Sequence, residues 1–239
     1  MPLRLCLAVL LPSAPLAAQE AADTLRLGGT IGFVQTAGNT DLVTLNVGEE
    51  LAYTASRFVV RQTFSTVYGR SDGETTASSW RAGARGDYRF SPVVAGFARL
   101  GFDRDRFAGI SRRLEEGLGV AVRALDRPRD LLEVEGGLDL IQERSTLGTS
   151  DDFVAGRSAA RYTRRFGEGE KAYFQQLVEF LPNLETTEDF RVTSETTLVA
   201  PLSRQLALKV SYVLRLDNVP EPGFGKTDRQ LMSALQITL

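Results

Sequence analysis

The chain has 239 residues, 43% of them hydrophobic and 24% charged, with a formal net charge of -2. That composition excludes a disordered chain, and past the N-terminus no apolar run approaches the ~20 residues that a membrane-spanning helix needs. The lack of histidine removes the commonest general base and transition-metal ligand, and the mild acidity leaves no electrostatic footprint for nucleic acid.

Arg4, the run Leu5–Leu11 and the small residues up to Ala18 have the charged end, apolar middle and small-residue cleavage site of a signal peptide, predicted over residues 1–18. Its removal takes away Arg4 as the only charge, moving the net charge from -2 to -3. It also takes away Cys6, the sole cysteine, so the exported chain is expected to have neither thiol nor disulfide. Residues 19–24 follow as a short periplasmic leader, and 25–239 form the remaining domain.

From residue 25 onward polar and apolar residues alternate in about twelve segments, near 25–36, 41–55, 58–70, 75–90, 93–107, 112–125, 131–144, 153–166, 171–181, 189–200, 204–216 and 227–239. In 75–90, Trp80, Ala82, Ala84, Tyr88 and Phe90 interleave with Arg81, Arg85, Asp87 and Arg89. In 204–216, Leu206, Leu208, Val210, Tyr212, Leu214 and Leu216 interleave with Lys209, Ser211 and Arg215. In 227–239, Leu231, Leu235, Ile237 and Leu239 oppose Asp228, Gln230, Gln236 and Thr238. A side-chain period of two is a strand, here with one face for lipid and the other for water.

The connections alternate too. Ser56-Arg57, Ser91-Pro92, 126–130, 167–170 and Ser203 are tight, whereas 37–40, 71–74, 108–111, 145–152, 182–188 and 218–225 are mostly longer and richer in glycine and acids. Short turns at one end, longer loops at the other and an even strand count predict an all-β, antiparallel up-and-down transmembrane β-barrel of about 12 strands. A soluble sandwich has no need of strands this long or turns this regular. No connection is long enough to fold deeply inward, so an unplugged lumen is expected.

The run Thr30–Asp41 (TIGFVQTAGNTD) with Gly38-Asn39-Thr40 at the first turn, Asp103–Phe107 (DRDRF) followed by Ala108-Gly109, Glu116–Val120 (EGLGV), and Lys226-Thr227-Asp228 form an ordered set along the chain. Together they resemble the family of salt-induced outer-membrane proteins, catalogued as a domain of unknown function. The resemblance implies a β-barrel of the outer membrane of a Gram-negative bacterium, with a link to salt or osmotic stress. Such a barrel is expected as a monomer among outer-membrane lipid and lipopolysaccharide, inserted by the assembly machinery, without cofactor or nucleic-acid partner.

With the polar faces turned inward, Glu133, Glu135, Asp139 and Glu143 of the seventh strand lie beside Arg157, Arg161 and Arg165 of the eighth, where antiparallel neighbours meet across the ladder. Arg81, Arg85, Arg99, Asp103 and Asp105 join this charged lumen, with Arg123, Lys209 and Arg215 adding to it. Such a set acts either as a selectivity constriction or as ion pairs that fill and stiffen the interior. Barrels of about eight strands are filled by side chains and those of sixteen or more hold open channels, so twelve predicts at most a narrow pore.

Asp41, Asp72, Glu74, Asp151, Asp152, Glu185, Glu188 and Asp189 gather at the loop end, in a spacing that matches no calcium loop. Glu49 and Glu116 fall on the lipid face; a bulge is expected to turn Glu49 away, while Glu116 sits toward the loop rim. The sequence thus predicts a narrow porin-like or envelope-maintenance barrel with no catalytic residues. The alternatives are a non-conducting barrel whose outer loops bind lipopolysaccharide or a partner and, disfavoured without histidine, an outer-membrane hydrolase.

Overall fold

The alternation becomes twelve strands in the computed structural model, which describes residues 23–36, 42–167, 169 and 171–238. They are β1 (Thr24–Thr36), β2 (Leu42–Ala55), β3 (Phe58–Ser71), β4 (Glu74–Arg89), β5 (Val94–Asp105), β6 (Ile110–Asp126), β7 (Asp130–Ser145), β8 (Ser150–Phe166), β9 (Ala172–Pro182), β10 (Phe190–Pro201), β11 (Leu206–Asp217) and β12 (Thr227–Thr238). The signal peptide, the leader up to residue 22, the first loop with Asp41, and Leu239 lie outside the described residues.

Each strand pairs antiparallel with the next, and β1 closes on β12 from Gly28 opposite Thr238 to Ile31 opposite Leu235. Closure gives every strand two hydrogen-bonded neighbours, the condition for carrying a sheet through hydrocarbon without bare N–H and C=O groups. The turns at 56–57, 90–93, 127–129, 167–171 and 202–205 define the short-turn end, and the opposite rim is the loop end.

Three boundaries depart from the sequence reading for local reasons. The fifth strand stops at Asp105, whose carboxylate accepts from the amides of Phe107 (3.2 Å) and Ala108 (3.3 Å), winding 106–108 into one 3-10 turn before Gly109 at φ 79. The β3–β4 connection shrinks to Asp72 (φ 50) and Gly73 (φ 86), the left-handed pair of a two-residue hairpin. The β7–β8 connection is 146–149, closed by the Ser145 amide on the Thr149 carbonyl at 2.9 Å. Two of the connections expected to be long are therefore tight, and the described length at the loop end resides in 183–189 and 218–226.

The outward faces form a band that water would leave exposed: Leu231 is 71% exposed, Leu118 66% and Leu25 63%. So much uncovered apolar surface is stable only in an apolar surround. Aromatic clusters edge the band, Phe58–Tyr88 (4.9 Å between ring centroids) and Tyr88–Phe90 (5.2 Å) toward the short turns, Trp80–Phe102 (4.7 Å) and Phe180–Phe190 (5.9 Å) toward the loops. Rings of this kind settle at membrane–water interfaces.

The bulge expected at Glu49 is absent, because the β2–β3 register runs unbroken from Leu42 opposite Ser71 to Ala55 opposite Phe58. Glu49 stays on the outer face, where its Oε1 accepts from Gln62 Nε2 at 2.5 Å. A neighbouring amide on the same face supplies its partner, so the backbone has no need to deviate. Glu116 is likewise outward and exposed, between Leu100 and Leu140 in the ladder.

Candidate functional site

The inward positions carry two networks of ion pairs. Toward the short turns, Asp87 takes Arg61 (3.2 Å) and Arg85 (2.8 Å), and Arg85 reaches Glu135 (2.7 Å). Glu135 continues to Arg157 (3.4 Å), which also meets Asp139 (3.7 Å) and Glu179. Arg99 closes this network on Asp139 and Glu115, both at 2.6 Å. Toward the loops, Asp103 takes Arg81 (2.8 Å) and Arg113 (3.9 Å), Arg113 binds Glu143 (2.8 Å), and Arg191 joins Glu143 (2.9 Å) to Asp217 (3.1 Å).

Arg85 to Glu135 runs from β4 to β7, and Arg191 to Glu143 from β10 to β7, so these side chains cross the lumen along chords. Arg85 and Arg191 also lie over the Phe97 and Phe153 rings, at 4.2 and 5.3 Å. Pairs this buried have shed much of their hydration, and removing one partner strands the other at about 3–5 kcal/mol. They hold one another in place more than they add net stability.

Of the residues predicted from the sequence, Glu135, Asp139, Glu143, Arg157, Arg81, Arg85, Arg99 and Asp103 belong to these networks. Glu133 stands apart with Arg123 at 3.6 Å. Arg161, opposite Glu133 in the ladder, and Arg165, opposite Tyr173, form no ion pair among the described residues. Asp105 is occupied in capping the turn. An acidic β7 wall facing a basic β8 wall therefore holds only at Arg157. Along that ladder Glu135 faces Ala159, Asp139 faces Ala155 and Arg157 faces Gly137, so large residues are staggered against small ones. The β7 acids find most of their cations on β4, β5, β6 and β10 instead. The sequence reading omits Arg61, Arg113, Glu115, Glu179 and Arg191, although the same alternation marks each as inward.

Beside the networks a cavity of about 1320 Å3 runs along the barrel, lined near the short turns by Arg26, Lys171 and Tyr173 and near the loops by Asp105, Thr149 and Asp228. Spread over a membrane band roughly 25 Å tall, this is a mean cross-section of about 50 Å2, room for small solutes and none for a folded domain. The 218–226 loop leans over one mouth: the Phe224 ring lies against Gly109, the Thr149 hydroxyl donates to Glu221 at 2.6 Å, and Val219, Pro220 and Pro222 line the cavity. The contact is confined to the rim, in keeping with the expectation that no connection folds deeply inward. The loop is too short to enter the barrel deeply but long enough to reach across its rim.

The lining charges are segregated along the axis. Among the described residues that line this cavity, those within five residues of a strand's short-turn end include only Glu50 and Glu133 as acids, against Arg26, Arg61, Arg85, Arg99, Arg161, Arg165, Lys171 and Lys209. Within five residues of the loop end the described lining residues include only Arg113, Arg191 and Arg215 as cations, against a majority of carboxylates that includes Asp103, Glu143, Asp151, Asp217 and Asp228. Among the described residues, the lining of the cavity is basic at one end and acidic at the other.

Residues 29–238 match the family described as protein of unknown function, DUF481, and the chain belongs to it. No curated protein matches. Among solved structures, the translocator domain of the autotransporter NalP from Neisseria meningitidis is similar over 90% of this chain and 87% of its own, with a TM-score of 0.50 at 12% identity. A structure described as a bacterial polysaccharide outer membrane secretin aligns over 91% and 97%, with a TM-score of 0.46 at 11% identity. The beta domain of the Bordetella autotransporter BrkA aligns over 91% and 99%, with a TM-score of 0.46 at 14% identity. At these identities the likeness to the NalP domain is one of fold, a transmembrane β-barrel, and of nothing finer.

Proposed function

We propose that this member of a family of unknown function is an outer-membrane barrel that passes small charged solutes through a narrow, permanently charged lumen. The observation that carries this reading is the cavity of about 1320 Å3 that continues past the ion-pair networks toward both ends of the barrel. An eight-stranded barrel is filled by its own side chains, whereas twelve strands leave room once the networks are built. Fixed charges on the wall replace part of a solute's hydration and lower the cost of taking its charge through the membrane.

The loop at 218–226 favours a second reading, a barrel closed at rest whose outer loops engage lipopolysaccharide or a partner and which serves envelope maintenance. A link to salt or osmotic stress rests on the family resemblance in the sequence motifs. Single-channel recording of refolded protein in a planar bilayer separates the two readings. Passage predicts discrete, salt-dependent steps whose ion selectivity moves in opposite directions in Glu135→Ala and Arg161→Ala. A silent bilayer, from protein whose folding is confirmed by heat-modifiable gel mobility, would overturn it in favour of the closed barrel.

A further inference from the structure

Most inward arginines of this barrel are consumed by carboxylates, but one arc is different. Arg161 and Arg165 on β8, Lys171 just before β9, Lys209 on β11 and Arg26 on β1 all line the same cavity, and none has a carboxylate within ion-pair distance among the described residues. Arg161 is half-buried, with an Nε that is shielded from solvent and donates to nothing among the described residues. The carboxylates nearest in the ladder are committed elsewhere: Glu133 to Arg123, Glu135 to Arg85 and Arg157, Glu179 to Arg157. Among the described acids close to a short-turn end and lining the cavity, Glu50 alone is uncommitted.

The placement is orderly. Arg165, Tyr173, Val199 and Lys209 occupy successive positions of one hydrogen-bonded row across β8, β9, β10 and β11. Arg161 stands four residues above Arg165 on the same inward face. Cations gathered around one cavity repel each other, and a multiply charged anion relieves that repulsion at several points at once. Guanidinium groups add directional, forked donors suited to phosphate and carboxylate oxygens.

We infer that the short-turn end of the lumen is a binding site for a soluble polyanion, a solute carrying two or more phosphate or carboxylate groups. The cations face the cavity and not the apolar belt, which favours a dissolved solute over a lipid headgroup. Binding at this site stands apart from passage: an equilibrium measurement reports it whether or not the barrel conducts.

The test is isothermal titration calorimetry on the refolded barrel in nonionic detergent, with pyrophosphate and citrate as probes and chloride as the monovalent control at matched ionic strength. Saturable binding near one equivalent is expected for at least one polyanion, weakened about tenfold or more in the Arg161→Ala/Lys209→Ala double variant and unchanged in Arg204→Ala, which removes a cation outside the cavity. Among the described residues none of the substituted side chains makes an ion pair, and heat-modifiable mobility checks each fold. Should the double variant misfold, Lys171→Ala, outside the strands, takes its place with a smaller loss expected. Absence of saturable binding, or equal weakening by Arg204→Ala, would overturn the site. Binding seen only when anionic phospholipid is supplied in nanodiscs, with no response to free pyrophosphate or citrate, would overturn the soluble ligand and assign the cations to lipid.

Discussion

The carboxylate of Asp139 occupies the space that Gly117 leaves open: a Cβ at position 117 would stand 1.9 Å from Asp139 Oδ1. The two residues are ladder partners on β6 and β7, and Asp139 is fully buried between Arg99 (2.6 Å) and Arg157 (3.7 Å). A glycine on one strand thus seats the acid that joins the cations of β5 and β8.

Gly117→Ala is therefore expected to displace Asp139 and destabilise the barrel by roughly 2–4 kcal/mol, a clash in a packed interior compounded by a disturbed charge pair. The midpoint of urea unfolding in lipid vesicles measures it. A midpoint unchanged from wild type would show that the network tolerates the shift and that Asp139 is not wedged there.

The Arg85–Glu135 pair, with side chains 17% and 10% exposed, differs from Arg164–Asp130, at 58% and 21%. A double-mutant cycle to alanine is expected to yield a coupling of about 1–3 kcal/mol for the first and below about 1 kcal/mol for the second. Equal couplings would contradict the view that burial separates structural pairs from incidental ones.

A lumen basic at one end and acidic at the other treats the two directions of current unequally, because ions accumulate between the two zones under one polarity and are depleted under the other. Rectified single-channel currents are expected at low salt. They should fade near 1 M salt, where the screening length falls to about 3 Å. Replacing Arg161 and Lys209 by glutamate should reduce or invert the rectification, and an ohmic trace at low salt would count against axial segregation of charge as a determinant of conduction.

The 218–226 loop is held by the Phe224 ring against Gly109 and by Glu221 to Thr149. Phe224→Ala with Glu221→Ala releases both contacts without touching the barrel wall. Mean conductance or open time in planar bilayers is expected to rise severalfold, since a single-site constriction dominates a series resistance. Unaltered currents would place the narrowest point at the ion-pair networks instead.

The family's ordered motifs and the twelve alternating segments were legible from the sequence, and so was the inward or outward sense of nearly every charge. Glu133 and Arg161 illustrate the limit. Their direct opposition follows from counting along two neighbouring strands, yet the structure commits Glu133 to Arg123 and, among the described residues, leaves Arg161 without a carboxylate. Glu49 illustrates it on the other face, where a neighbouring amide does what a bulge was expected to do.

What the sequence by itself determined is the strand count, the two faces and the polarity of the interior. Those are local properties, because a side-chain period of two assigns each residue its side without reference to any other strand. Only the tertiary structure decided which charges meet, how the axial separation arises and which loop reaches the rim. Arg85 finds Glu135 three strands away, and Arg191 finds Glu143 from the other direction, through long side chains extended across a closed ring. Those distances depend on barrel closure and strand stagger, which no short stretch of sequence encodes.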